Sequence, residues 1–396
     1  MNIAPKSRSN PTLRRSRRRA SGWETSLFVK ILGFVLVGYL LILFRYLPRT
    51  NITQQSRVEK TFKALRAPDS NNHDVLQKTP IDIDSSKIEK VIEKDLQTPP
   101  PVEPRPGFVV LGMHRSGTSM LSGLMVMGLG YKVGSPLIGG AKDNPKGFFE
   151  LLPAVLQSDI FLGKQGAGWA SNVMRFDPEK AIQQYKNGEI KFKEGEKALS
   201  FLNDPDKSPW LQKDPRTCIT LPVWLELLDH EPAILFTYRH PVEVANSLER
   251  RDQSVQFFGG LRLWTAYNIK AIQNMRGLCV VKSTNVALLG NPTEEIQRIS
   301  DELTNKCNVK PPPKQTLDKS LVESFFDPNL QHKKQSEFIE SEVLIQYGDC
   351  AIYDIQHKRG HREEYELDNY LNAMKLWCDL ENGSAFNEDY EFPELY

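Results

Sequence analysis

An α/β fold, a parallel sheet flanked by helices, is what this sequence predicts, and three observations predict it. The apolar run Phe108-Val109-Val110-Leu111 leads through a glycine-containing loop into a segment whose apolar residues recur at helical spacing. A second run, Ala233-Ile234-Leu235-Phe236-Thr237-Tyr238, ends at Arg239, and Pro241 then stands where the first turn of a helix would begin. The composition, 25% charged and 40% hydrophobic over 396 residues, suits a folded body and excludes a wholly disordered, collagen-like or polytopic membrane chain.

Ahead of that body the chain divides into tail, span and stem. Residues 1 to 50 carry ten Lys and Arg against one acid, whereas the remainder carries 41 against 48. The mildly acidic body disfavours a sequence-independent nucleic-acid binder, which needs clustered cations to displace counterions. Residues 1–26, with Arg14, Arg15, Arg17, Arg18 and Arg19, read as a cytoplasmic basic tail, and 27–47 as a single transmembrane signal anchor. The uncharged core Ile31 to Phe44 is about 21 Å of helix against roughly 30 Å of hydrocarbon, so crossing requires the longer segment, with Lys30 and Arg45 snorkelling to the interfaces. No small-residue cleavage site follows Phe44, and basic residues hold the cytoplasmic side, so everything after Pro48 is expected in the lumen, a type II topology. Residues 48–105 read as a Pro-rich stem, since eight of the 26 prolines fall between 48 and 106. The lumenal body, 106–396, then contains the sequon Asn382-Gly383-Ser384, with a second, Asn51-Ile52-Thr53, close to the bilayer.

The five cysteines, Cys218, Cys279, Cys307, Cys350 and Cys378, include no CxxC pair and no Cys/His cluster at metal-ligand spacing, so no metal is expected. An odd number leaves at least one thiol free or paired between chains.

The loop Gly112-Met113-His114-Arg115-Ser116-Gly117-Thr118-Ser119 lies between the first strand and a helix carrying Met120, Leu121, Leu124, Met125 and Leu129, which Gly128 and Gly130 stop. Strand, glycine loop and helix start make an anion cradle of backbone N–H groups, a P-loop NTPase-like arrangement. Its spacing is that of G-x-x-x-x-G-K-[ST], but Thr118 stands where the lysine belongs. Losing that lysine argues against NTP hydrolysis. The positive charge sits instead on Arg115, whose guanidinium can offset charge developing on a leaving phosphate. After the second strand, Arg239 and Ser247 can both turn toward the crevice above the sheet's carboxyl edge and hold a second phosphate.

The Gly112–Ser119 loop, together with Arg239-His240-Pro241 and Ser247, resembles the two nucleotide-binding motifs of sulfotransferases that use 3′-phosphoadenosine 5′-phosphosulfate (PAPS). The resemblance implies the sulfotransferase fold and a Golgi-type carbohydrate sulfotransferase, its catalytic domain lumenal, its acceptor a glycan or other hydroxyl or amine. It implies that His114, Arg115, Ser116, Gly117, Thr118 and Ser119 hold the 5′-phosphosulfate, while Arg239 and Ser247 hold the 3′-phosphate. Arg115 in place of lysine is the variant common in membrane-bound and bacterial relatives. The likeness continues more loosely through Lys213-Asp214-Pro215-Arg216 and from Asn285 to Leu303.

Transfer to a hydroxyl needs a group that takes the acceptor's proton. His114, Glu150 and Asp214 are the candidates, with Glu150 favoured because the aromatic run before it would raise a carboxylate's pKa. Lys213 and Arg216 can face the anionic donor or an acidic glycan. The competing expectation is a type II glycosyltransferase with an Asp-x-Asp metal motif, for which Asp204-Pro205-Asp206 and Asp82-Ile83-Asp84 match the pattern. Both lie in polar segments, the second in the stem. Acceptor choice is expected in loops within 140–210 and 252–275.

Overall fold

The computed structural model describes residues 103–141, 144–314, 316–325, 343–355 and 364–395. The expected tail, membrane span and nearly all of the stem lie outside the described residues, as do the Asn51 sequon and Asp82-Ile83-Asp84. Among the described residues no helix is long and apolar enough to cross a membrane.

In chain order the elements are β1 (Gly107–Leu111), α1 (Thr118–Leu124) with a π-helical turn over Met125–Leu129, α2 (Leu152–Lys164), α3 (Pro178–Lys186) and α4 (Lys193–Leu202). Then come β2 (Trp210–Lys213), α5 (Thr217–Leu227), β3 (Ala233–Tyr238), α6 (Pro241–Arg251) and α7 (Phe257–Asn274). β4 (Val280–Thr284), α8 (Asn285–Gly290), α9 (Pro292–Asn305), α10 (Lys319–Phe325), β5 (Val343–Tyr347), β6 (Cys350–Tyr353) and α11 (Glu364–Asn382) follow. The spacing of Met120 to Leu129 predicts one regular helix. The structure instead changes to π hydrogen bonding at Met125, in the stretch where Gly128 lets the backbone close on Leu317; a Cβ there would lie 2.1 Å from Leu317 Cδ1.

β1 to β4 form one parallel sheet in the order β2-β1-β3-β4, with Val110 opposite Lys213, Val109 opposite Ile234 and Leu235 opposite Val281. Alternation along β1 sends its side chains to two cores. Val109 and Leu111 join Phe161, Phe236, Trp264 and Tyr267 on one face, while Phe108 and Val110 join Leu121, Leu124, Ile296 and Leu303 on the other. Helices therefore cover both faces, which is why β1 and β3 are near-continuous apolar runs. The chain leaves β1 for β2 on one side and returns to β3 on the other, so strand order reverses between β1 and β3. A crevice opens above the carboxyl ends of such a pair.

The C-terminal segment, which offers little sequence signal, contributes a hairpin of β5 and β6 and the helix α11, whose Tyr370, Ala373, Leu376 and Leu380 enter the larger core. Cys350–Cys378 ties that hairpin to α11, and Cys279–Cys307 ties the start of β4 to the end of α9. Cys218 is the free, buried thiol that an odd cysteine count requires.

Candidate functional site

The loop after β1 closes over the reversal point. Gly112 has no room for a side chain, since a Cβ would lie 2.6 Å from the Thr237 carbonyl oxygen and 2.7 Å from Thr118 Cγ2. Gly117 has a φ of 86° and packs against the Asn285 amide, with a Cβ there only 2.3 Å from Nδ2. Between them Arg115 takes a φ of 71°, a left-handed conformation uncommon for a residue with a long side chain. The Ser116 N–H donates to the Met113 carbonyl at 3.1 Å, which tightens the turn. Among the described residues Ser116 Oγ is buried without a hydrogen-bond partner, and the first N–H groups of α1 have no acceptor within the helix. Such a hydroxyl beside N–H groups at a helix start suits an anion such as a phosphate.

The two motifs are joined. Arg115 Nε donates to Ser247 Oγ at 2.9 Å, and Arg239 Nη1 donates to the Arg115 carbonyl at 3.3 Å. Arg239 Nε donates to Glu243 Oε2 at 2.6 Å, one turn into α6, and its own carbonyl accepts from Trp264 Nε1 at 2.9 Å. The arginine of the first loop thus lies across the reversal point onto the helix of the second motif.

On the β2 side, Lys213 Nζ donates to Ser119 Oγ at 3.1 Å and to Glu150 Oε1 at 2.6 Å. Glu150 is delivered by a turn in which the Asn144 side-chain amide donates to the Gly147 carbonyl and Phe149 takes a φ of 56°. Burial pushes the Glu150 carboxyl above its ordinary range, against the pull of the Lys213 ammonium. Asp214 Oδ1 accepts from the Arg216 N–H and from Arg216 Nη1, while its Oδ2 is buried without a partner among the described residues. Although burial opposes it, Asp214 and Asp159 hold the Arg216 guanidinium firmly charged. Asp214 therefore orients Arg216, and Lys213 turns to Glu150.

His114 is buried between Trp169 and Tyr267, edge to face at 5.0 and 5.7 Å, and its Nε2 has no hydrogen-bond partner among the described residues. Burial first, then the charges of Arg216, Lys213, Arg251 and Arg115, depress its protonation well below the usual histidine range. The Tyr267 hydroxyl donates to the Trp169 carbonyl at 2.7 Å, and the Arg251 guanidinium lies 5.8 Å from the Trp169 ring centre.

All the residues named for the first loop lie together, and Lys213, Glu150, Arg239 and Ser247 border them. Sequence reasoning did not name Trp169, Tyr267, Asp159 or Glu243 as part of this site. The first three fall inside the stretches expected to choose the acceptor; Glu243 could have been found, because it stands four residues after Arg239 on a helix that begins between them. Asp204 is not part of the site: its carboxylate accepts from the Asp206 N–H and caps a 3-10 turn. Among the described residues no three His, Cys, Asp or Glu side chains are gathered as metal ligands would be.

No protein-family model matches the chain, and no curated protein matches it. Among solved structures, the sulfotransferase domain from the Synechococcus PCC 7002 olefin synthase is 15% identical, covers 71% of this chain and 98% of its own, and superposes with a TM-score of 0.39. The sulfotransferase domain from the curacin biosynthetic pathway is 15% identical over 58% of this chain and 77% of its own, with a TM-score of 0.33. Likeness at this level carries nothing about function, and the chain's own geometry has to.

Proposed function

We propose that this chain is a PAPS-dependent sulfotransferase that moves a sulfuryl group to a hydroxyl or amine of a glycan. One observation carries the reading: a P-loop without its lysine whose arginine, Arg115, is bonded to Ser247 across the point where strand order reverses. That arrangement suits a ligand with one phosphate in the loop and another beside Arg239, and it lacks the cation an NTPase places on its β and γ phosphates.

In this reading the Gly112–Ser119 loop binds the 5′ end through Ser116 and backbone N–H groups, and Arg115 offsets charge as the bridging oxygen leaves. Lys213, bonded to Ser119 and ion-paired with Glu150, fixes the Glu150 carboxylate beside the same cradle. Glu150 is the group assigned to take the acceptor's proton, its affinity for a proton raised by burial. Trp169, half-buried at the rim, offers a flat apolar face of the kind sugars pack against. No metal enters the scheme. The two disulfides support a body in an oxidising lumen, and with the basic tail and apolar segment at 27–47 the proposal is a Golgi membrane protein of type II topology.

Calorimetry on the purified chain tests the reading. PAPS and its product 3′-phosphoadenosine 5′-phosphate should bind, with ATP and sugar nucleotides far weaker. Tighter binding of a sugar nucleotide would favour the glycosyltransferase instead.

A further inference from the structure

Arg239 and Ser247 are both engaged within the protein itself. Ser247 Oγ, buried, accepts from Arg115 Nε at 2.9 Å, a bond that does not use its own O–H donor. Arg239 is held on two edges of its guanidinium. Nη1 is on the Arg115 carbonyl at 3.3 Å, and Nε is on the Glu243 carboxylate at 2.6 Å. The Arg239 and Glu243 side chains are only 18% and 21% exposed, so water screens the pair weakly.

A phosphate gains most from arginine through two parallel N–H bonds on one edge of the fork. Here the Nε edge already holds a carboxylate, an anion of similar geometry. We infer that Glu243 is a specificity-determining counter-charge of the 3′-phosphate subsite, and that the phosphate binds by displacing its carboxylate from Arg239. The inference rests on the proposed donor reading and adds a residue to it.

Two consequences follow from the exchange. A nucleotide without a 3′-phosphate cannot displace Glu243 and gains nothing from Arg239, which sharpens rejection of common nucleotides. After transfer, the product keeps its 3′-phosphate but has lost the sulfuryl group, and the returning carboxylate helps to expel it. Glu243 thereby trades affinity for selectivity and release. Its place in the first turn of α6 favours an acidic residue only weakly on helix grounds, so neutral substitutions there should fold.

The test is calorimetry on the full-length chain and its Glu243→Gln and Glu243→Ala variants, with 3′-phosphoadenosine 5′-phosphate and adenosine 5′-phosphate as probes. Glu243→Gln keeps an oxygen for Arg239 Nε and removes the charge. It should bind the bisphosphate about tenfold more tightly, by removing like-charge repulsion at short range, while the monophosphate changes less than about twofold. Glu243→Ala should shift in the same direction. A bisphosphate affinity that is unchanged or weaker overturns the inference, as does parallel loss of both ligands in both variants, which would make Glu243 structural. If the unsubstituted chain shows no preference for the bisphosphate, the donor reading itself fails, a separate outcome.

Discussion

Lys213 and Glu150 meet at 2.6 Å with side-chain exposures of 1% and 6%, one from the end of β2 and the other from the turn before α2. A buried pair of this kind is costly to break, because the surviving charge has no partner. Lys213→Met or Glu150→Leu alone should cost about 3–5 kcal/mol in urea unfolding, and the double substitution should recover most of that. Glu150→Gln removes the proposed proton acceptor. It should lower kcat by about 10²–10⁴-fold while leaving binding of 3′-phosphoadenosine 5′-phosphate in place.

Stability should fall on mild acidification. His114 is held neutral well below its ordinary pKa, and His240 is lowered to about 4, in both cases chiefly by burial. Above the unfolded pKa, near 6.5, folded and unfolded chains are equally neutral at these sites and they contribute no slope. Below it the unfolded chain takes up protons that the folded chain refuses, so stability is lost as pH falls toward the folded pKa values. His240 gives up to about 1.4 kcal/mol per pH unit between roughly pH 6 and its folded pKa near 4, His114 adds to the loss in the same direction, and the raised Glu150 carboxyl opposes it. Replacing His114 with Gln should make that loss shallower in denaturant titrations at pH 7.5, 6 and 5.

Arg115→Ala should remove charge stabilisation on the leaving phosphate and the bond to Ser247 together. A rate loss of about 10²–10³-fold is expected, equivalent to roughly 2.7–4 kcal/mol, with the thermal unfolding midpoint little changed. Near-normal transfer by the variant would mean that this loop does not hold the reacting group.

Arg239→Ala should weaken 3′-phosphoadenosine 5′-phosphate by about 1.5–3 kcal/mol and adenosine 5′-phosphate hardly at all. Equal weakening of both would point to its hold on the Arg115 carbonyl, at 3.3 Å, as the larger role. The difference between ligands, not either affinity alone, decides it.

The parts of the fold that could be read from sequence are those where local chemistry is extreme. β1 and β3 are uninterrupted apolar runs beside a glycine loop and a Pro-started helix, so strand, loop and helix announce themselves. β2 does not, because Gln212 and Lys213 are buried polar residues, and Lys213 is tolerated there only through Glu150 and Ser119. β4 alternates at the sheet's edge, with Lys282 exposed, and α11 spreads its buried positions around too much of its surface to form a clean stripe. The same limit applies to the site. The collar of Trp169 and Tyr267 around His114 joins residues far apart in sequence through tertiary packing, which no local pattern records.

Cys218 lies under this machinery: its Sγ accepts the Gly112 N–H at 3.2 Å, and burial pushes its thiol up to about 12. It is also the single cysteine outside the two disulfides. The chain therefore carries its own stopwatch. A thiol reagent reaches the fully buried Cys218 only when the packing around it opens, so the labelling rate counts local openings beneath the first glycine without any engineered probe. A ligand that clamps the loop should slow that clock in proportion to its occupancy, and urea low enough to spare the global fold should quicken it.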